Sequence, residues 1–209
     1  MEKRKGLFIT FEGGEACGKT TQIELLKEYF LQHSERKCTF VKEPGGTPLG
    51  EKLRNLALHD RTVKLSGKAE LMVFLASRVQ LYEEVIKGAL ANDEIVIADR
   101  YYDSSIAYQG QARGVMDKEE MLALHRWLLD GLTPDITFYL RNKPAEAFKR
   151  KGKAKLDKFE LEGLEFHNKV YEGYEWLAAK EPERFCIIDA NLPIEEIHKK
   201  VIDTIKYMY

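Results

Sequence analysis

Gly13-Gly14-Glu15-Ala16-Cys17-Gly18-Lys19-Thr20 carries the clearest chemical spacing in the chain. It fits G-x-x-x-x-G-K-[ST] at every fixed position. Glycines let a backbone wrap closely around a polyphosphate, and N–H groups at a helix start supply partial positive charge to it. Lys19 is placed to reach the β and γ oxygens of a nucleoside triphosphate, and the Thr20 hydroxyl to ligate its magnesium ion. The plainer reading is a glycine turn that starts a helix. Against it, strand residues Leu7–Phe11 run in and an amphipathic helix from Lys19 runs out. The loop alone does not choose between a kinase, a GTPase and an ATPase.

Other unusual residues fall where parallel strands end, which is where open α/β sheets bind ligands. Asp99-Arg100-Tyr101-Tyr102-Asp103-Ser104-Ser105 follows one strand. Asp99 suits the magnesium shell and Arg100 a bidentate phosphate clamp, although a surface Asp–Arg pair would look the same. Glu43-Pro44-Gly45-Gly46-Thr47-Pro48-Leu49-Gly50 is a rigid loop that exposes backbone or a plain turn, with Arg54 about two helical turns beyond Pro48. Phe74 and Arg78 share a helix face; by periodicity Phe74 reads as core, yet the pair could stack a base and hydrogen-bond its edge. Residues 143–160 are charge-dense, with Arg150, Lys151, Lys153, Lys155, Asp157 and Lys158. They read either as a solvated helical face or as a lid hinged at Gly152 that closes over the transferring group.

These residues need a frame. The strand candidates are Leu7–Phe11, Cys38–Lys42, Ile95–Asp99, Asp135–Leu140 and Phe185–Asp189. The helix candidates are Lys19–Gln32, Pro48–Leu58, Lys68–Ala91, Lys118–Leu129, Pro144–Lys151, Lys158–Lys180 and Pro193–Met208. Such alternation predicts an α/β protein: three layers, with a five-stranded parallel sheet flanked by helices, in one domain over residues 1–209. With 44% hydrophobic and 32% charged residues the chain is globular rather than disordered. A net charge of −1 gives no sign of a nucleic-acid partner, and the apolar runs are too short to span a bilayer. The basic N-terminus lacks a cleavage signal, so a cytoplasmic location is expected. Cys17, Cys38 and Cys186 lack disulfide or zinc spacing and read as reduced thiols. The five histidines are dispersed, which argues against a histidine-based centre.

Together the motifs resemble the thymidylate kinases over nearly the whole chain. The resemblance rests on Phe11-Glu12-Gly13, the phosphate loop with Thr20-Thr21-Gln22, Glu43 to Glu51, and Asp99-Arg100-Tyr101. It extends to Tyr108-Gln109-Gly110, Asp135, Asp157-Lys158-Phe159-Glu160 and Gly173-Tyr174. It implies transfer of the ATP γ-phosphoryl group to dTMP by a magnesium-dependent homodimer. Gly13, Gly14, Glu15, Ala16, Cys17, Gly18, Lys19, Thr20 and Thr21 would contact ATP, with Thr20 and Asp99 toward the metal. Phe74 would stack on thymine and Arg78 would bond its carbonyl edge, while Ser105, Tyr108 and Gln109 would contact base and sugar. Tyr108 would also crowd the ribose 2′ position. Glu15 would lie near the 3′ hydroxyl, Glu43 and Pro44 would line the acceptor site, and Arg54 and Arg100 would hold the acceptor phosphate. Some relatives place an arginine where Ala16 stands; this chain resembles those whose lid supplies the cations, here Arg150 and Lys153, which join Lys19 and Arg100 as the catalytic set. Lys153 lacks the planar fork of arginine. The rival readings are a kinase for another nucleoside monophosphate and a nucleotide-dependent switch protein. For a guanine switch, Asn142-Lys143-Pro144-Ala145 lacks the Asp of N-K-x-D.

Overall fold

A computed structural model of the chain describes residues 6–150 and 157–208. Strands β1 (Leu7–Glu12), β2 (Cys38–Lys42), β3 (Ile95–Asp99), β4 (Ile136–Arg141) and β5 (Phe185–Asp189) form one parallel sheet in the order β2-β3-β1-β4-β5. The sequence-predicted sheet is therefore present. Helices are α1 (Lys19–His33), α2 (Pro48–Arg54), α3 (Gly67–Leu81), α4 (Lys87–Ala91), α5 (Tyr102–Ser105), α6 (Lys118–Leu128), α7 (Pro144–Arg150), α8 (Leu164–Lys180) and α9 (Ile194–Ile205).

Because successive strand residues point to opposite faces, β1 divides its side chains between two apolar layers. Ile9 and Phe11 join Leu26 and Phe30 of α1 and Ile197, Val201 and Ile205 of α9. Phe8 joins Leu71 and Leu75 of α3, Met121 of α6 and Val170, Tyr174 and Leu177 of α8. Each such side chain, fully removed from water, contributes about 1.5–3 kcal/mol. Every residue of β1 is buried, as a strand covered on both faces requires.

Three local departures from the expected elements have physical causes. First, α2 and α3 each run on into a widened, π-type stretch, Asn55–His59 and Tyr82–Ile86, the latter leading into α4. The expected helices Pro48–Leu58 and Lys68–Ala91 are these composite runs. Second, α5 continues as a π-type stretch over Ile106–Ala112, where no helix was expected. Residues Ile106 to Gly110 are all buried, so they carry no amphipathic period to read. Third, α8 begins at Leu164 rather than Lys158. Asp157 N–H donates to Glu160 Oε2 at 2.8 Å, Glu160 N–H donates to Asp157 Oδ1 at 2.9 Å, and Lys158 N–H is committed to Leu58 O. These groups satisfy one another in a turn before the helix starts.

Gly173 lets α8 approach the 102–112 segment, since a Cβ there would meet Ala107 Cα at 2.7 Å. That approach sets the Tyr174 hydroxyl 2.9 Å from the Ser104 hydroxyl. Within the expected lid, α7 is described; Lys153 and the Arg150 side chain lie outside the described residues.

Candidate active site

Phe11 of β1 lies opposite Asp99 of β3 in the ladder, so the two chain exits leave the same sheet edge side by side. The loop after β1 begins at Gly13 with φ 140°, where a Cβ would come within 2.6 Å of Leu140 O. Lys19 opens α1; its Nζ donates to Gly13 O at 3.2 Å and to Gly14 O at 2.8 Å, which holds the ammonium inside the curl of the loop. Cys17 is buried, its thiol donating to Gly14 O at 3.2 Å, and so fills the loop from within.

Thr20 Oγ1 donates to Asp99 Oδ2 at 3.4 Å. Among the described residues no cluster of three or more His, Cys, Asp or Glu forms a dedicated metal cage. One hydroxyl and one carboxylate beside a phosphate loop suit magnesium, which keeps waters and takes the rest of its oxygens from phosphates. The donor set fits the ion.

Beside the loop opens a cavity of about 250 Å³. Its wall brings together Glu15, Glu43, Pro44, Arg54, Phe74, Arg78, Arg100, Ser105, Tyr108 and Gln109, every residue the resemblance assigns to the acceptor. Arg78 is held from three sides: Nε donates to Glu43 Oε2 at 2.6 Å, Nη1 to Ser105 Oγ at 2.8 Å and Nη2 to Tyr101 O at 3.2 Å. Burial pushes the Glu43 carboxyl up to about 7 despite the Arg78 charge. Ser105 thus orients Arg78 as well as lining the cavity. Phe74 is both core and wall, buried and edge-on to Phe159 with centroids 5.8 Å apart. Tyr108 packs edge-on against the same Phe159 ring and its hydroxyl donates to Glu15 Oε1 at 2.6 Å. Gln109 Nε2 donates to Glu70 Oε1 at 2.9 Å, and Arg54 Nη1 to Pro44 O at 2.7 Å.

Arg100 joins loop and cavity. It has φ 71°, and its Nη1 donates to Gly13 O at 2.9 Å while Nη2 donates to Glu15 Oε1 at 2.9 Å. The residues that sequence reasoning left without a role here are Glu12, Ser104, Phe159 and Tyr174. Glu12, Phe159 and Tyr174 stand in recognisable motifs, but only the tertiary structure brings them together at the site.

The glycine-rich loop, adjoining cavity and parallel sheet agree with the family comparison: a sequence model described as thymidylate kinase matches residues 11–201. The chain belongs to the thymidylate kinase family. The thymidylate kinase of Thermoanaerobacter sp. strain X514 is 43% identical over 202 residues, spanning 97% of this chain and 98% of that protein. That of Chlorobaculum tepidum is 42% identical over 209 residues, spanning 95% and 96%. A crystal structure of thymidylate kinase from Ehrlichia chaffeensis superposes with TM-score 0.79 at 33% identity, covering 96% of this chain and 98% of that one. As a thymidylate kinase family member the chain is a phosphotransferase of the nucleoside monophosphate kinase type, which separates it from the switch proteins. No helix among the described residues is long and apolar enough to cross a membrane.

Proposed function

We propose that this chain transfers the γ-phosphoryl group of ATP to dTMP, giving dTDP and ADP, at the junction of the phosphate loop and the 250 Å³ cavity. The observation that carries the reading is Arg100, which lines the cavity and whose guanidinium donates to Gly13 and Glu15 of the loop. Donor and acceptor phosphates would meet there.

In this reading Phe74 stacks on the base. Arg78 keeps a second hydrogen on each Nη, beyond those given to Ser105 and Tyr101, for the base's carbonyl edge. Tyr108 walls the sugar, and Arg54 with Arg100 holds the acceptor phosphate. An acceptor phosphate oxygen is already anionic at neutral pH, so the site needs alignment and charge neutralisation rather than a strong base. Lys19 would leave the loop carbonyls for the β and γ oxygens, and Arg100 would neutralise charge between the two nucleotides. Magnesium, bound through Thr20, Asp99 and the phosphates, would supply further neutralisation of the polyphosphate. Arg150 and Lys153 would complete the cationic shell from a lid over residues 143–160. A homodimer and a cytoplasmic location belong to the same proposal, on the strength of the family resemblance.

ADP release from ATP, measured alone and with dTMP, dUMP, dGMP or dCMP, tests the reading. Release is expected to depend on an acceptor and to be fastest with dTMP. Equal release without acceptor would point to a hydrolase, and a preference for another monophosphate would reassign the cavity. Sedimentation equilibrium checks the dimer.

A further inference from the structure

Glu12 is the last residue of β1, fully buried directly beneath the phosphate loop, and no step above uses it. A buried carboxylate costs free energy unless donors surround it, and three do. Tyr101 N–H donates to Oε1 at 2.6 Å; the Ser104 and Tyr174 hydroxyls donate to Oε2 at 2.7 and 2.8 Å. Those same hydroxyl oxygens accept from Arg100 Nη1, at 3.1 Å for Ser104 and 3.2 Å for Tyr174. The two hydroxyls also lie 2.9 Å apart, where either can donate to the other; with their protons directed to Glu12, the oxygens present lone pairs to the guanidinium.

Arg100 itself occupies a conformation unusual for a residue with a side chain, φ 71°, which must be held by its surroundings. Glu12 acts on both ends of that residue. It fixes the peptide N–H that follows Arg100, and through the two hydroxyls it fixes Nη1. With the two Nη1 hydrogens shared among Gly13, Ser104 and Tyr174, and Nη2 on Glu15, the guanidinium plane is held in one orientation at the mouth of the cavity. Burial raises the Glu12 carboxyl to about 7, with the Asp103 charge adding and Arg100, Ser104 and Tyr101 opposing. A carboxyl held there at such cost, with each oxygen directed to Arg100's own turn or its hydroxyl partners, is placed to serve Arg100.

We infer that Glu12 is the positioning residue for Arg100, setting the backbone turn and the guanidinium orientation through Tyr101 N–H, Ser104 and Tyr174. This rests on the phosphate-clamping role proposed for Arg100. The test is a double-mutant cycle on the full chain, reading kcat and the KM for dTMP separately. Glu12→Gln presents an amide N–H₂ to one side and disrupts the directed hydroxyls; it is expected to lower kcat/KM for dTMP by about 10–30-fold with Arg100 present and by less than about 2-fold in an Arg100→Ala background. The KM for ATP is expected to move little in either. Equal losses in the two backgrounds would show that Glu12 supports the fold generally and would overturn the inference, as would no loss with Arg100 present. Tyr174→Phe, which removes a single hydroxyl, repeats the cycle should Glu12→Gln not fold, with about 3–10-fold expected against none. A near-normal Arg100→Ala single variant would instead overturn the role of Arg100, so the two failures are distinguishable.

Discussion

Arg78 Nε and Glu43 Oε2 pair at 2.6 Å in the wall of the cavity beside the loop, with side chains only 2% and 3% exposed. Removing one member of a buried pair leaves the other charge uncompensated, at a cost of about 3–5 kcal/mol. Arg78→Ala is therefore expected to destabilise the fold by about that amount at pH 8 and to raise the dTMP KM. Glu43 is already poised near 7, and losing its cation raises it further. At pH 6 it would simply protonate, so the stability loss should be smaller there. Urea unfolding of the variant at both pH values checks this; a loss independent of pH would mean the pair carries no charge in the native state.

Lys19 and Arg100 are expected to matter most in the transition state. Lys19→Ala and Arg100→Ala should each lower kcat by at least ~100-fold, the scale seen when a preorganised charge-stabilising group is removed. Steady-state kinetics with saturating ATP and dTMP measures it. Near-normal turnover in either variant would remove that residue from the catalytic set.

Arg150 carries a different expectation, because its contact would form only when the lid closes. Arg150→Ala should lower kcat and leave the dTMP KM little changed. A change confined to dTMP affinity would place Arg150 in the acceptor site instead.

The loop Gly13–Thr20 was legible because its pattern is local: eight consecutive residues between a strand and a helix curl around the Lys19 ammonium. The strands were legible for a similar reason, as β2, β3 and β5 show apolar runs bounded by polar turns. That Phe74, Arg78 and Tyr108 would line one cavity came only through resemblance, since Phe74 by period alone is a core residue and in the structure it is core as well as wall. Glu12 and Tyr174, far apart in sequence, meet at 2.8 Å because Gly173 lets α8 close on the 102–112 segment. No periodicity encodes that approach. The expected helix start at Lys158 falls inside a turn over Asp157–Glu160, whose reciprocal side-chain bonds outweigh the helical propensity of a charged stretch.

Two buried carboxyls give the unliganded protein a pH signature. Glu12 and Glu43 are both raised to about 7, chiefly by burial. The native state keeps protons that the unfolded chain releases near 4.5, so their contribution is full below that value and is lost as pH rises through 7. His125 acts oppositely: burial depresses its protonation, which costs stability only below about 6.5. Between pH 6.5 and 8 the carboxyls dominate, and stability should fall by about 1–2 kcal/mol, or several degrees in Tm. Calorimetry across that range reads the slope, which Glu43→Gln should roughly halve. A Tm that rises with pH there would show that these carboxyls stay ionised.

Tyr108 combines two roles that substitution can separate. Its ring packs against Phe159, centroids 5.4 Å apart, and walls the part of the cavity assigned to the sugar; its hydroxyl holds Glu15 at 2.6 Å. Steric rejection of a 2′ hydroxyl needs the ring alone, whereas placement of Glu15 needs the hydroxyl. Tyr108→Phe should therefore keep the preference for deoxynucleotide while weakening dTMP binding by about 5–10-fold, the net value of one ordinary hydrogen bond of about 1 kcal/mol. Tyr108→Ala should lose both, narrowing the ratio of kcat/KM for dUMP over UMP by about 10-fold or more. The same substrate pair measured on both variants decides the matter. If Tyr108→Phe relaxes sugar selectivity as much as Tyr108→Ala does, discrimination runs through the Glu15 carboxylate rather than through the bulk of the ring.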